Sequence, residues 1–278
     1  MSKQRKSILR PVRRAYEDIK TRLQGAGAEV HPRPVFILGN QKSGTSPIAG
    51  LLAEMTGIPL TMDIRREIER PRIEFIRQGE LALSDYIKEN KLDFSRAIIK
   101  EPNLTFIYQQ LDELYGEAKI VFVYRDPRDN IRSILNRVEV SGRQKELTDV
   151  QKNNMTIGWR KIFEGEPVGR KGEDYIDTMA LRWDCAARIL LDNEKRFVTV
   201  RFEDFLQDKI GAISRLARDL DLADTHDISG QVDHPFQPPG DRSVSWIDFF
   251  GERNLRRIES VCGGSMARLN YKKTAGPE

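Results

Sequence analysis

Two glycines, Gly39 and Gly44, bracket the polar run Asn40-Gln41-Lys42-Ser43. The run follows an apolar stretch, Val35-Phe36-Ile37-Leu38, that reads as a short buried strand. After the second glycine come Thr45, Ser46 and Pro47, and then Ile48, Leu51, Leu52 and Met55 on one face of an expected helix. A strand, a glycine loop and a helix in this order turn backbone N–H groups and the positive end of a helix dipole toward an anion. A nucleotide-binding loop of the form G-x-x-x-x-G-K-[ST] carries its lysine after the second glycine. Here Thr45 stands in that place and the lysine, Lys42, precedes Gly44. The spacing predicts a phosphate cradle and argues against ordinary ATP chemistry.

A second anion site is expected at Arg125. It follows the apolar run Ile120-Val121-Phe122-Val123-Tyr124, and Ser133 lies two turns into the next helix. Arginine offers a planar fork for a phosphate and serine a hydroxyl. One ligand held at both places would carry phosphates at two positions. Asp126 is the nearest carboxylate that could hold Mg²⁺, but capping the helix that Pro127 opens accounts for it. The two cysteines, Cys185 and Cys262, have no second cysteine at metal spacing, so we expect neither a metal site nor a disulfide.

Two further apolar runs, Ala97-Ile98-Ile99 and Phe197-Val198-Thr199-Val200, alternate with helical segments. One of these segments, with Ile131, Ile134, Leu135 and Val138, has a buried face; another carries Ile210, Ile213, Leu216, Ala217 and Leu220. This alternation predicts an α/β fold: a three-layer parallel sheet of the phosphate-loop type, with helices on both faces. Ligands in such folds bind at the carboxyl ends of the strands. Every expected strand leads there into polar residues: Lys42, Lys100, Arg125, and Arg201 with Glu203.

Of the 278 residues, 39% are hydrophobic and 32% charged, the composition of a globular rather than a disordered chain. The net charge of +4 sits in the first 24 residues, where eight Lys or Arg face Glu17 and Asp18. Residues 1–33 therefore read as a basic arm and 34–278 as one domain. The irregular, polar segment 141–178 reads as a substrate loop or lid. The arm lacks the apolar region of a signal peptide, and no run is long enough to span a membrane. A cytoplasmic protein without a nucleic-acid partner is expected, its oligomeric state unread.

The loop Gln41-Lys42-Ser43-Gly44-Thr45-Ser46, taken with Tyr124-Arg125-Asp126-Pro127-Arg128-Asp129-Asn130-Ile131-Arg132-Ser133, resembles the sulfotransferases that use 3′-phosphoadenosine 5′-phosphosulfate. Lys100-Glu101-Pro102, Arg201-Phe202-Glu203-Asp204-Phe205 and the stretch Cys262–Tyr271 are also similar to that family, and the likeness spans roughly 34–271. The resemblance implies that Gln41, Lys42, Ser43, Gly44, Thr45 and Ser46 hold the 5′-phosphosulfate. It implies that Arg125 and Ser133 hold the 3′-phosphate, with Arg242 reaching it from a basic lid. It implies sulfuryl transfer to a hydroxyl or amine of a small-molecule or carbohydrate acceptor, with 3′-phosphoadenosine 5′-phosphate as product and no metal requirement. Lys42 would stabilise the leaving oxygen.

The base is less constrained. Cytosolic members of that family use a histidine near the strand that here ends at Ile99-Lys100, and none of His31, His226 and His234 lies there. Carbohydrate-type members use a glutamate about twenty residues after the loop lysine, the region of Asp63 and Glu67. Those two are the leading candidates, with Glu101 behind, and Lys100 is a candidate substrate contact. Glu203 and Asp204 read as loop braces. Pro47 replaces the aromatic residue that stacks on adenine in cytosolic members. A kinase using ATP and a non-catalytic binding protein on the same fold are the competing readings.

Overall fold

A computed structural model describes residues 27–233 and 244–274. The chain runs β1 (Val35–Leu38), α1 (Thr45–Thr56), β2 (Leu60–Thr61), α2 (Arg65–Glu69), α3 (Ile73–Arg77), α4 (Leu83–Glu89), α5 (Lys91–Phe94) and β3 (Ile98–Lys100). A 3-10 segment (Pro102–Ile107) leads into α6 (Tyr108–Leu114), β4 (Ile120–Tyr124), α7 (Pro127–Arg137), α8 (Asp149–Asn154), α9 (Ile157–Phe163) and α10 (Tyr175–Asp192). Then follow β5 (Val198–Arg201), α11 (Phe202–Gln207), α12 (Lys209–Asp219) and α13 (Trp246–Arg268), the last bent at Gly251.

The five strands pair in parallel in the order β2-β3-β1-β4-β5. Period-two side-chain alternation sends successive residues to opposite faces. Val35 and Ile37 of β1, with Val121 and Val123 of β4, pack against α1, α11 and α12. Phe36 and Leu38, with Ile120 and Phe122, pack against α3, α4, α6 and α10. This is the expected α/β architecture with both faces covered. A third apolar cluster joins α7, α9, α10 and α13 and buries Cys262, while Cys185 is half-buried and both thiols are free.

The sequence reading missed β2. It has two residues and sits at the sheet edge, too short to show a period. Segment 141–178 is more ordered than its composition suggested, because α8 and α9 form within it, each started by a threonine cap, Thr148 and Thr156. The arm up to residue 26, His234 and Arg242 lie outside the described residues. Among the described residues no helix is long and apolar enough to cross a membrane.

With β1 central, consecutive strands are laid down first on one side of it and then on the other. The carboxyl ends of β3, β1 and β4 therefore frame the crevice where chain direction across the sheet reverses. The glycine loop emerges there.

Candidate functional site

The loop is built by backbone constraints. Gly39 has φ 136°, and a Cβ there would lie 2.2 Å from the Val123 carbonyl oxygen of the neighbouring strand, so no side chain fits. Gly44 caps α1 with φ 102°, and a Cβ would meet the Phe202 ring at 2.1 Å. Lys42 itself adopts a positive φ of 67°. The Gly39 N–H donates to Thr105 Oγ1 at 2.9 Å, and buried Asn130 donates to the Gln41 carbonyl at 2.9 Å and to Ser43 Oγ at 3.0 Å. Pro47 sits in the first turn of α1, where a missing N–H leaves no helical bond unmade.

A cavity of about 480 Å³ opens over this loop. Gln41, Lys42, Gly44, Thr45 and Ser46 line it, together with Asp63, Glu67, Lys100, Arg125 and Ser133. The fold thus assembles residues that the sequence scatters over 93 positions, from 41 to 133. Ser43 is buried behind the loop, where its hydroxyl accepts from Asn130, and the Gln41 side chain turns to Arg182 and Asn103. Those two side chains hold the loop's shape.

Arg125 follows β4, donates to the Lys42 carbonyl at 3.2 Å and lies over the Phe202 ring at 4.8 Å. Its own carbonyl accepts from Trp183 Nε1 at 2.9 Å. Asp126 caps α7 by accepting from the Arg128 N–H at 2.9 Å and forms an ion pair with Arg128. Its carboxylate is thereby committed to the cap. Glu203 accepts from the Asp126 N–H and the Tyr271 hydroxyl, each at 2.9 Å, as a brace would.

The electrostatics are divided between two ends. Burial, and then the charges of Arg137, Arg125 and Lys100, pull the Lys42 ammonium down to about 8. Repulsion among these cations would be relieved by an anion. At the other end, Asp63, Glu67 and Glu101 line the cavity together with Lys100. Lys100 is buried and ion-paired with Asp63. Glu67 is buried, and this raises its carboxyl to about 7 against the hydrogen bonds it accepts from the N–H groups of Arg72 (3.0 Å) and Ile73 (3.3 Å) and the Tyr86 hydroxyl (3.2 Å). Glu101 accepts from the Ile64 and Asn103 N–H groups, and burial followed by the charges of Asp63 and Glu67 pushes it up.

Several lining residues escaped the sequence reading. Arg137 lies one turn beyond Ser133, and that i, i+4 spacing could have marked it. Phe202, Phe205 and Leu206 of α11 form an apolar wall beside the loop. Thr156, Gly158, Trp159 and Ile162 bring segment 141–178 into the cavity. Nothing local marks these residues, because only the packing of α9 and α11 against the crevice places them. Among the described residues no His, Cys, Asp and Glu cluster could hold a metal ion.

No curated protein matches this chain. Its fold is similar to that of sulfotransferase STF9 from Mycobacterium avium, at 12% identity, covering 92% of this chain and 81% of that one with a TM-score of 0.52. It is also similar to the sulfotransferase domain from the curacin biosynthetic pathway, at 14% identity, covering 88% of this chain and 99% of that one with a TM-score of 0.50. At such identities the likeness speaks for the fold. The profile of the sulfotransferase family matches residues 73–227, which include Arg125 and Ser133 but not the glycine loop. That match spans more than half of the sequence, and the chain belongs to the sulfotransferase family.

Proposed function

We propose that this transferase takes its sulfuryl group from 3′-phosphoadenosine 5′-phosphosulfate and delivers it to a hydroxyl or amine of a small-molecule or carbohydrate acceptor. The observation that carries the reading is the meeting of the glycine loop with Arg125, Ser133 and Arg137 in one cavity where Lys42 is crowded by cations. Such a set fits a ligand with phosphates at two positions. The apolar wall of Phe202, Phe205 and Leu206 fits the flat base of such a ligand, in place of the aromatic residue that Pro47 displaces.

The backbone N–H groups of the loop and of the first turn of α1, with the Thr45 and Ser46 hydroxyls, would hold the 5′ end. Arg125, Ser133 and Arg137 would hold the 3′-phosphate. When bound, the phosphosulfate supplies the activated sulfuryl group. Lys42 would neutralise charge on the oxygen left behind, and Lys100, paired with Asp63, would neutralise charge at the acceptor end. Glu67 is the base in this reading. It lines the cavity, three donors fix its orientation, and a carboxyl near 7 suits proton transfer at neutral pH. Asp63 is the second candidate, but its carboxylate is committed to Lys100. The ATP reading lacks support because the carboxylate nearest the end of β4, Asp126, is engaged by Arg128.

The test is a thermal-shift titration with 3′-phosphoadenosine 5′-phosphate against ATP plus Mg²⁺, followed by labelled-sulfate transfer to a panel of alcohols, amines and sugars. Stabilisation by the bisphosphate and sulfation of a panel member are expected. Stabilisation by ATP plus Mg²⁺ alone would sink the assignment. Binding without transfer to any acceptor would favour the non-catalytic reading.

A further inference from the structure

Arg182 of α10 is 1% exposed, the largest side chain so deeply buried among the described residues. A guanidinium removed from water normally has a carboxylate beside it, because the desolvation penalty is otherwise uncompensated. Arg128, another deeply buried arginine, obeys the rule through Asp126 and Glu259. Arg182 does not. Among the described residues it makes no ion pair, and its hydrogen bonds go to uncharged acceptors. Nε donates to Asn40 Oδ1 and Gln41 Oε1, each at 3.1 Å, and Nη2 donates to Gln41 Oε1 and, at 2.9 Å, to Asn103 Oδ1. Nη1 donates to the Glu166 carbonyl at 2.8 Å, and the Phe106 ring stacks 4.3 Å below the guanidinium. Burial lowers its pKa to about 9, so the group remains a cation at neutral pH.

The partners say what this charge is for. Asn40 and Gln41 are the first loop residues after Gly39. Asn103 stands on the far wall of the cavity, where its N–H fixes Glu101 Oε1 at 3.0 Å. Gln41 Nε2 closes the triangle onto Asn103 Oδ1 at 2.6 Å. One side chain therefore ties the anion loop to the wall that carries the acid cluster. It also leaves behind the loop a positive charge that no carboxylate contacts and that the charge of Glu101 offsets only in part, in a region where low polarity lets charges act strongly.

We propose that Arg182 is a positioning residue for the donor nucleotide. It fixes the loop against the Glu101 wall, and its buried charge is balanced when the phosphate-bearing ligand binds. The proposal rests on the nucleotide reading above.

The prediction separates this role from a merely structural one. Arg182→Met keeps the length and removes the buried charge, but it strands the Asn40, Gln41, Asn103 and Glu166 acceptors, so the free protein should melt below the wild-type temperature. Affinity of the folded variant for 3′-phosphoadenosine 5′-phosphate should fall as well, by about tenfold or more. Arg182→Lys keeps the charge without the fork and should lie between the two. In turnover, the KM for the donor should rise more than kcat falls. The measurements are calorimetric titration with the bisphosphate, unfolding of the free protein, and initial rates. A Met variant that binds within about twofold of wild type, whether or not it is less stable, overturns the inference and leaves the nucleotide reading intact. Should the Met variant not fold, Asn103→Ala breaks the bridge with Arg182 in place and should weaken the bisphosphate several-fold; unchanged binding there overturns the inference equally. If wild type itself does not bind the bisphosphate, the nucleotide reading falls and the inference with it.

Discussion

Glu67→Gln probes the acceptor end through two readouts that only a buried, proton-accepting carboxylate moves together. The carboxyl is raised from 4.5 to about 7, chiefly by burial. Folded Glu67 thus holds its proton more tightly than the unfolded chain does. Its contribution to stability is full below about pH 4.5 and is lost as the pH rises through about 7. At about 1.4 kcal/mol for each pH unit, the loss between about pH 4.5 and about pH 8 comes to about 3 kcal/mol. Glutamine does not titrate, so this loss is absent from the variant. Glutamine also gives up one acceptor oxygen, the one that takes the Ile73 N–H at 3.3 Å, which costs roughly 1–3 kcal/mol at any pH. The difference between the two pH values cancels that constant and isolates the proton. Removing the Glu67 charge also lets Glu101 titrate lower, which flattens the variant's curve further. Denaturant unfolding at the two pH values should show wild type losing about 3 kcal/mol more than the variant. Turnover should fall by about 10²–10⁴-fold, with bisphosphate affinity unchanged. Parallel stability curves would refute the buried carboxylate, and activity within a few-fold of wild type would refute the base.

Three other outcomes follow from the same geometry. The pH profile of kcat/KM should be bell-shaped, rising as Glu67 deprotonates at about 7 and falling as Lys42 deprotonates at about 8; initial rates from pH 5 to 10 check it, and Glu67→Gln should lose the acid limb. Arg125→Ala removes charge-assisted bonds of about 1.5–3 kcal/mol and should weaken the bisphosphate roughly 10–100-fold in calorimetric titration. Equal binding would remove the 3′-phosphate assignment. Gly44→Ala forces a side chain into φ 102° and to 2.1 Å from Phe202 Cδ2. It should lower stability by roughly 1–3 kcal/mol or more and tilt the ring from beneath Arg125, abolishing the thermal shift given by the bisphosphate.

The sequence by itself determined four of the five strands, the loop and the order of the candidate anion-binding residues. Those signals are local: the apolar run Val35-Phe36-Ile37-Leu38, glycines 39 and 44 whose positive φ the structure bears out, and the eight-residue step from Arg125 to Ser133. Tertiary structure alone decided how the neighbouring groups are used. Gln41 carries the same chemistry whether it faces a ligand or Arg182, and only the packing of α10 under the loop turns it inward. Asp63 and Glu67 are alike in the sequence. The fold pairs one with Lys100 and buries the other beside Tyr86. Arg137, Phe202 and Trp159 enter the cavity because helices far apart in the chain converge at the carboxyl ends of β1 and β4. Burial and partner identity are properties of contacts between distant segments, and no local pattern of residues encodes them.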